Sequence, residues 1–524
     1  MVRTLSSSVF KDKFLHDEIL AACNRFGGTT AIIDTSVEPH RNITFGEYAD
    51  LVESAAKGLV AAGIKPGEVI AIYLCNSWEY AVTFHAATLA GAVPTLLNPS
   101  YREREVRYQL ENSGAAMLVT DGPLIAPLSL GDVPNLRSII CTRRLQPGTM
   151  PFHDLLSSNR ATLLAPSHTA YETLAALPYS SGTTGLPKGV ELTHENLVAN
   201  CYQYLASGEK GTIGEKEVLL GFLPLYHIYG LNVCMNPTLL AGATLLLMPR
   251  FDAATAMELL TEYGVTYLPM VPPIINLFCQ ASVEGKFPRD HSVRVAKSGA
   301  APLAPELAKR FTELTGIRVR QGYGMTEASP VTHMGFIDDD LYRPDSIGMP
   351  NALTECRIIA EDGRPCPIGE PGELVMRGPQ FMRGYRNAPE ATASVLKEGW
   401  YWSGDIAVID VEGFYKIVDR RKEMIKFKGF PIAPAEVEAV LMEHPAVRDC
   451  GVIGLPDDEA GEIPCAFIVL SEDHTADKQK AESLKKHVAD RLTSYKQPRE
   501  IRFVETIPRN PSGKILRKDL RTQI

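Results

Sequence analysis

Paired cysteines, long apolar runs and an excess of positive charge are all missing from this chain of 524 residues. Ten cysteines (Cys23, Cys75, Cys141, Cys201, Cys234, Cys279, Cys356, Cys366, Cys450 and Cys465) are scattered without a C-x-x-C pair. That spacing excludes the usual zinc frameworks and a disulfide-stapled secreted fold, and it fits a reducing compartment. The N-terminus has no charged start followed by an apolar core, so no secretory signal is expected. The longest apolar stretches, near residues 81–97 and 239–248, are broken by His85 and Pro94 or are too short to cross a bilayer. A net charge of -9 argues against a general binder of nucleic acid or anionic membrane. The final residues Thr522, Gln523 and Ile524 are not a peroxisomal address, and no serine-bearing carrier segment is expected. A soluble, cytoplasmic protein is expected, monomer or homodimer, with no membrane span and no nucleic-acid partner.

What is present is an ordinary globular composition, 45% apolar and 22% charged. Residues 30–141 alternate strand and helix signals. Runs at Thr30–Ile33, Val69–Leu74, Val93–Leu97 and Ala116–Thr120 are β-rich, and Thr44-Phe-Gly-Glu47 reads as a capping box opening a helix through Leu59. Ser77 caps the next helix. Such β-α-β repetition predicts a parallel sheet covered on both faces. Residues 145–175 read as a connecting segment, and Thr193 caps a helix with Leu197, Cys201 and Leu205 on one face. Renewed alternation through Val295 predicts a second doubly wound sheet. From about Gly348 short strands separated by Gly/Pro turns predict a small β-barrel, and past Asp419 an α+β pattern begins. The fold expected is therefore α/β. A large N-terminal domain (1–419, barrel-like part 348–419) holds two doubly wound sheets and the barrel, and a smaller mobile α+β domain (420–524) follows.

The densest chemistry lies in Tyr179-Ser-Ser-Gly-Thr-Thr-Gly-Leu-Pro-Lys188-Gly189. Glycines let backbone N–H groups converge, Ser180, Ser181, Thr183 and Thr184 add donors around Gly182, and Lys188 adds a charge, a set that suits a polyphosphate. The spacing is not that of a Walker A loop, so a P-loop nucleotidase is disfavoured. Composition alone also fits a surface Ser/Gly turn. The string, however, closely resembles the signature of the adenylate-forming enzymes, which include acyl-CoA synthetases, coumarate–CoA ligases, luciferase and peptide-synthetase adenylation domains.

Four further motifs follow in that family's order. Taken singly, each also fits a turn or a solvated basic face. In Gln321-Gly322-Tyr323-Gly324-Met325-Thr326-Glu327, after a short β-rich run, the resemblance implies that Tyr323 stacks on adenine, Thr326 bonds the α-phosphate and Glu327 holds Mg²⁺. In Tyr401-Trp-Ser-Gly-Asp405 it implies that Asp405, on a tight glycine turn, binds the ribose hydroxyls. In Asp419-Arg-Arg-Lys-Glu-Met-Ile-Lys426-Phe-Lys428-Gly429 it implies a hinge at Asp419, a nucleotide contact at Arg420, acyl-adenylate neighbours at Lys422 and Lys426, and a coenzyme A approach along Lys428, Gly429 and the distant Arg250. In Pro508-Arg-Asn-Pro-Ser-Gly-Lys514-Ile-Leu-Arg517-Lys518 it implies that Lys514 clamps the attacking carboxylate and the α-phosphate.

The same resemblance implies a substrate pocket. Leu223-Pro-Leu-Tyr226-His227-Ile-Tyr229-Gly230 would supply a gating His227 between Tyr226 and Tyr229, and Gly299, Ala300, Gly322, Gly324, Pro330 and Val331 would complete a slot suited to an aryl ring. Coumarate ligases usually carry Gln at the position of Pro431, Gly at that of Ser329 and Lys at that of Arg250. These departures bear on the acid, not the reaction. The implied activity is acid–CoA ligation with ATP, Mg²⁺ and coenzyme A. The acid is hydroxycinnamate-like, with a fatty acyl-CoA synthetase or a non-catalytic nucleotide-binding relative as the alternatives.

Overall fold

A computed structural model describes residues 5–157, 161–165, 168–180, 186–207, 213–338, 340–420, 422–428, 430–457, 459–509 and 513–523. Both expected doubly wound sheets are present. The first has eight strands, in the order Gly384–Tyr385, Lys188–Thr193, Leu174–Ser180, Val93–Leu96, Val69–Tyr73, Ala115–Thr120, Ser138–Cys141 and Met150–Pro151. Its strands are parallel from Leu174–Ser180 onward. The second sheet has nine, in the order Met349–Pro350, Val331–Met334, Val319–Gly324, Val295–Ser298, Tyr267–Met270, Val218–Gly221, Thr244–Leu247, Thr30–Asp34 and Arg41–Thr44.

The strand at Thr30–Asp34 thus departs from the expected order. It pairs with Thr244–Leu247 in the second sheet, Ile32 opposite Leu245, rather than with Val69–Tyr73 in the first. The helices that follow explain why. Trp78–Leu89 is buried at every position but Leu89, so both of its faces need a covering layer, and it packs beside Phe45–Ala61. Thr44 accepts the Glu47 N–H at 3.2 Å as expected, but the Glu47 carboxylate goes to Arg41 at 3.1 Å instead of closing the box. Thr193 and Asn196 do close one, at 3.2 and 2.9 Å. Residues 145–175 also hold more than a connector: the edge strand Met150–Pro151 and the short helix Phe152–Leu156.

In place of a closed barrel, the strands Glu355–Ile359, Gly372–Arg377, Leu396–Lys397, Trp400–Ile409 and Tyr415–Arg420 form a five-stranded antiparallel sheet. Trp400–Ile409 is long enough to be shared. Its start pairs with Leu396–Lys397 and its later part with Tyr415–Arg420, and among the described residues the outer strands do not meet. This sheet ends at Arg420, and the last sheet begins at Ile425. There Gly461–Leu470 is flanked by Val447–Asp457 and Glu500–Phe503. Ile425, Val437, Leu441, Val452, Ile468, Leu484 and Val488 fill one face, and Ile453, Phe467, Ile507 and Leu520 fill the other. No helix among the described residues is long and apolar enough to cross a membrane.

Candidate active site

The glycine-rich loop joins two antiparallel strands. Leu174–Ser180 runs into it and Lys188–Thr193 runs out, with Ser180 opposite Lys188. The sequence suggested strand, loop, helix; the β-rich Val190-Glu-Leu192 intervenes, and the helix His194–Leu205 starts only after its Thr193 cap. Ser181, Gly182, Thr183 and Thr184 lie outside the described residues. The loop's entry and the distant Tyr385 reach one carboxylate. Ser180 Oγ donates to Glu327 Oε1 at 3.0 Å, and Tyr385 Oη donates to the same oxygen at 2.8 Å. Lys188 Nζ lies 5.5 Å from the Tyr385 ring centre, close enough for a cation–π attraction.

Glu327 and Thr326 sit on a 3₁₀ turn, Thr326–Ala328, whereas Gln321, Gly322, Tyr323 and Gly324 belong to the strand Val319–Gly324 itself. The motif therefore begins within a strand, not beyond its end. Gln321 spends its amide on the Pro344 carbonyl at 2.7 Å, which braces the strand. Tyr323 Oη donates to Asp405 Oδ2 at 2.5 Å, and burial, then the Asp405 charge, pushes that phenol well above its ordinary range.

Asp405 lies inside Trp400–Ile409, so its expected tight turn is a bulge. Gly404 takes the left-handed φ of +72° there, its N–H donates to Glu373 at 3.1 Å, and the Asp405 N–H donates to Ser403 Oγ at 3.1 Å. Arg420 Nε stands 3.4 Å from Asp405 Oδ1. Lys514 reaches this cluster from the C-terminal segment. Its ammonium is pulled down to about 8, by burial first and then by Arg420, against the opposing pull of Glu423 and Asp405. Gly513, at φ +82°, lies so close to the start of the helix Pro272–Val283 that an added β-carbon would stand 3.2 Å from Pro273 Cδ. The C-terminal segment is thus docked on the large domain with its lysine inward.

Asp419 accepts the Arg420 and Ala435 N–H groups at 2.6 and 2.9 Å, and burial raises its carboxyl to about 6. The other basic residues described in the hinge run are not gathered in. Lys422, Lys426 and Lys428 are exposed, Arg250 is exposed after Thr244–Leu247, and Gly429 lies outside the described residues.

Near the expected acid pocket, His227 Nδ1 accepts the Tyr229 N–H at 3.2 Å, which leaves the ring proton on Nε2. Burial lowers this imidazole to about 4, so it is neutral at pH 7. Tyr229 gives its hydroxyl to the carbonyls of Met270 and Lys297, at 3.3 and 3.2 Å, and offers only its ring as a wall. The glycines do not open a slot on their β-carbon side. An added carbon would stand 3.0 Å from Tyr229 Cε1 at Gly299, 2.9 Å from Lys297 Cε at Gly322 and 2.0 Å from the Pro330 carbonyl at Gly324. They let neighbours press onto the backbone. Pro330 and Val331 are buried, Asn200 bonds both the N–H and the C=O of Val331, while Ala300 is exposed and Tyr226 half-buried.

Sequence reasoning missed Lys297, Tyr385 and Glu423. Lys297 had a signal, a lysine inside the apolar strand Val295–Ser298. It is 2% exposed, stands over the Tyr204 and Tyr229 rings at 4.6 and 4.9 Å, and is pulled well down by burial and then by Arg320.

The family pattern described as "AMP-binding enzyme" matches residues 19–386, and that described as "AMP-binding enzyme C-terminal domain" matches residues 436–514. A 4-coumarate-CoA ligase of Narcissus pseudonarcissus is 38% identical over 520 residues, covering 97% of this chain and 93% of the relative. A 4-coumarate–CoA ligase of Pinus taeda is 37% identical over 519 residues, 97% and 95% of the two chains. Among solved structures, an anthranilate CoA ligase in complex with anthranoyl-AMP superposes with a TM-score of 0.90 at 25% identity, over 99% of each chain. A benzoate CoA ligase from Burkholderia xenovorans LB400 does so at 0.86 and 27%, over 97% of this chain and 100% of the other.

Proposed function

The chain belongs to the AMP-binding enzyme family, and from that premise we propose that it joins an aryl or arylalkenyl carboxylic acid to coenzyme A through an acyl-adenylate. One observation carries the reading: Lys514, brought from the far end of the chain, comes within electrostatic reach of the Asp405–Arg420 pair, Tyr323 bonds the same Asp405, and Ser180, Tyr385 and Glu327 meet at the entry of the glycine-rich loop. Cations and fixed donors from separate elements at one place are what two mutually repelling anions require.

In the first step a carboxylate oxygen attacks the α-phosphorus of ATP and pyrophosphate leaves. Lys514 and Arg420 offset the charge of that approach, and Thr326 donates to the α-phosphate. Asp405 takes the ribose hydroxyls on the lone pairs that Tyr323 and Arg420 leave. In the second step the thiol sulfur of coenzyme A attacks the acyl carbon and AMP leaves. The 420–524 segment turns about Asp419 between the two; Lys422 and Lys426 then neighbour the acyl-adenylate, and the exposed Lys428 and Arg250 serve the thiol's approach. His227, neutral and with its proton on Nε2, stands where acyl group and thiol meet.

Mg²⁺ fits this site as a guest of the nucleotide. No group of three or more His, Cys, Asp or Glu side chains among the described residues could hold a metal by itself. Glu327 keeps Oε2 outside its two hydroxyl bonds, and one carboxylate plus phosphates and water is a common Mg²⁺ shell. Bound there, the ion would neutralise phosphate charge.

The aryl preference is supported by the acids named for the relatives and neighbours and by the flat Tyr229 wall. A panel of 4-coumarate, benzoate, anthranilate and octanoate, read by pyrophosphate release, tests it. Turnover of the aryl acids with little of octanoate is expected; the reverse would make this a fatty acyl-CoA synthetase.

A further inference from the structure

Arg517 belongs to the last basic motif, but nothing above gives it work. It is nonetheless among the most buried cations of the C-terminal domain, its side chain 11% exposed. Its Nε stands 3.2 Å from Glu423 Oε2, its Nη1 2.8 Å from Glu438 Oε1, and its Nη2 donates to Glu438 Oε2 at 3.1 Å. The carboxylates come from separate places: Glu423 from the turn after Arg420, Glu438 from the helix Pro434–Met442. Asp419 acts on the same guanidinium from the end of the preceding sheet. Glu438 is itself fixed, since Oε1 also accepts the Val452 N–H at 2.8 Å. Three residues upstream of Arg517 is Lys514, which feels the charges of both Arg517 and Glu423.

We propose that Arg517 is a positioning residue for adenylate formation: its buried pairs with Glu423 and Glu438 strap the Lys514 loop to the hinge, so that lysine and pivot move as one piece. The inference rests on the ligase reading for its catalytic consequence but not for its geometry. A planar guanidinium can face two carboxylates at fixed angles, which a lysine cannot copy fully. A second tie holds the loop's other side. Arg509 pairs with Asp449 at 2.7 Å and donates to the Gly513 carbonyl at 2.7 Å, so the lysine is suspended between two arginine anchors, one buried and one half-buried. A strap matters because misplacing a catalytic charge by about 1 Å can cost on the order of a hundredfold in rate.

Two readouts on the full-length chain test this. The first needs no substrate: trace acetylation of lysines with acetic anhydride, mapped by mass spectrometry. Arg517→Gln is expected to raise labelling of Lys514 by roughly threefold or more over that of the other lysines, with Arg517→Lys in between, because only the strapped loop loosens. Glu423→Gln is a milder break that leaves Arg517 paired with Glu438. Unchanged Lys514 labelling in all three variants, or a uniform rise at every lysine, would overturn the proposal. The second readout separates the half-reactions. 4-Coumarate-dependent exchange of labelled pyrophosphate into ATP should fall about tenfold or more in Arg517→Gln, while thioester formation from supplied 4-coumaroyl-adenylate and coenzyme A stays within about threefold. Equal losses in both halves would mark a merely structural arginine. A wild-type chain with no exchange would sink the ligase reading, and the labelling result would still decide the strap.

Discussion

Lys514 shows how burial and charge set the chemistry of one side chain. Its charged form is the one the proposed first step uses, yet burial and Arg420 bring its titration down to about 8. Between about 8 and the ordinary lysine value of 10.5 the unfolded chain holds a proton that the folded chain does not. This group alone therefore makes stability rise with pH across that window, and its burial costs stability below it. Activity runs the other way. The kcat/KM for ATP in pyrophosphate release should fall as pH rises through about 8, and Lys514→Ala should abolish that alkaline limb while lowering the rate by about 10²–10³-fold. A pH–rate profile of both proteins checks it. The lysine was singled out by the motif around it. Its depressed titration was not, because Arg420 and Glu423 lie some ninety positions earlier and only folding brings them near. Tyr385 escaped for a related reason, since it stands in no run whose local composition signals a site, whereas Lys297 was signalled only by being a lysine in an apolar strand.

Elements with their own local signals were the most readable. Thr193 and Ser77 cap the helices that their sequences announce, accepting the Asn196 and Tyr80 N–H groups at 3.2 and 3.3 Å. Thr193→Ala should cost about 1 kcal/mol in a denaturant titration, the usual loss for a removed cap, with m unchanged. Where non-local pairing decided, local reading gave the wrong context. The glycine-rich loop is the tip of a hairpin because Val190-Glu-Leu192 finds a partner in Leu174–Ser180, and Asp405 sits on a bulge because Gly404 interrupts a strand held from both sides. The strand at Thr30–Asp34 left its sequence neighbours for the same cause: Val69–Tyr73 is paired on both sides, by Val93–Leu96 and Ala115–Thr120, and Thr30–Asp34 pairs with Thr244–Leu247 instead.

As a whole, the molecule is a set of doubly wound and antiparallel sheets on which a C-terminal segment docks, bringing its own lysine. Composition shifts along the chain already marked where the sheets end and the last α+β pattern begins. The docked pose could not be read, since it depends on Gly513 meeting Pro273. Gly513→Ala strains a φ of +82° and presses a carbon against Pro273, so it should slow adenylate formation about tenfold while leaving thioester formation from supplied acyl-adenylate nearly unchanged. Assaying the two half-reactions separately checks this. For the enzyme as a whole, a single-turnover experiment without coenzyme A is decisive: purified chain, Mg²⁺, 4-coumarate and ATP labelled in its α-phosphate, quenched and resolved. Acid-dependent label in 4-coumaroyl-AMP, matched one-to-one by pyrophosphate, is the expected result; ADP with orthophosphate, or nucleotide cleavage indifferent to every acid offered, would contradict it.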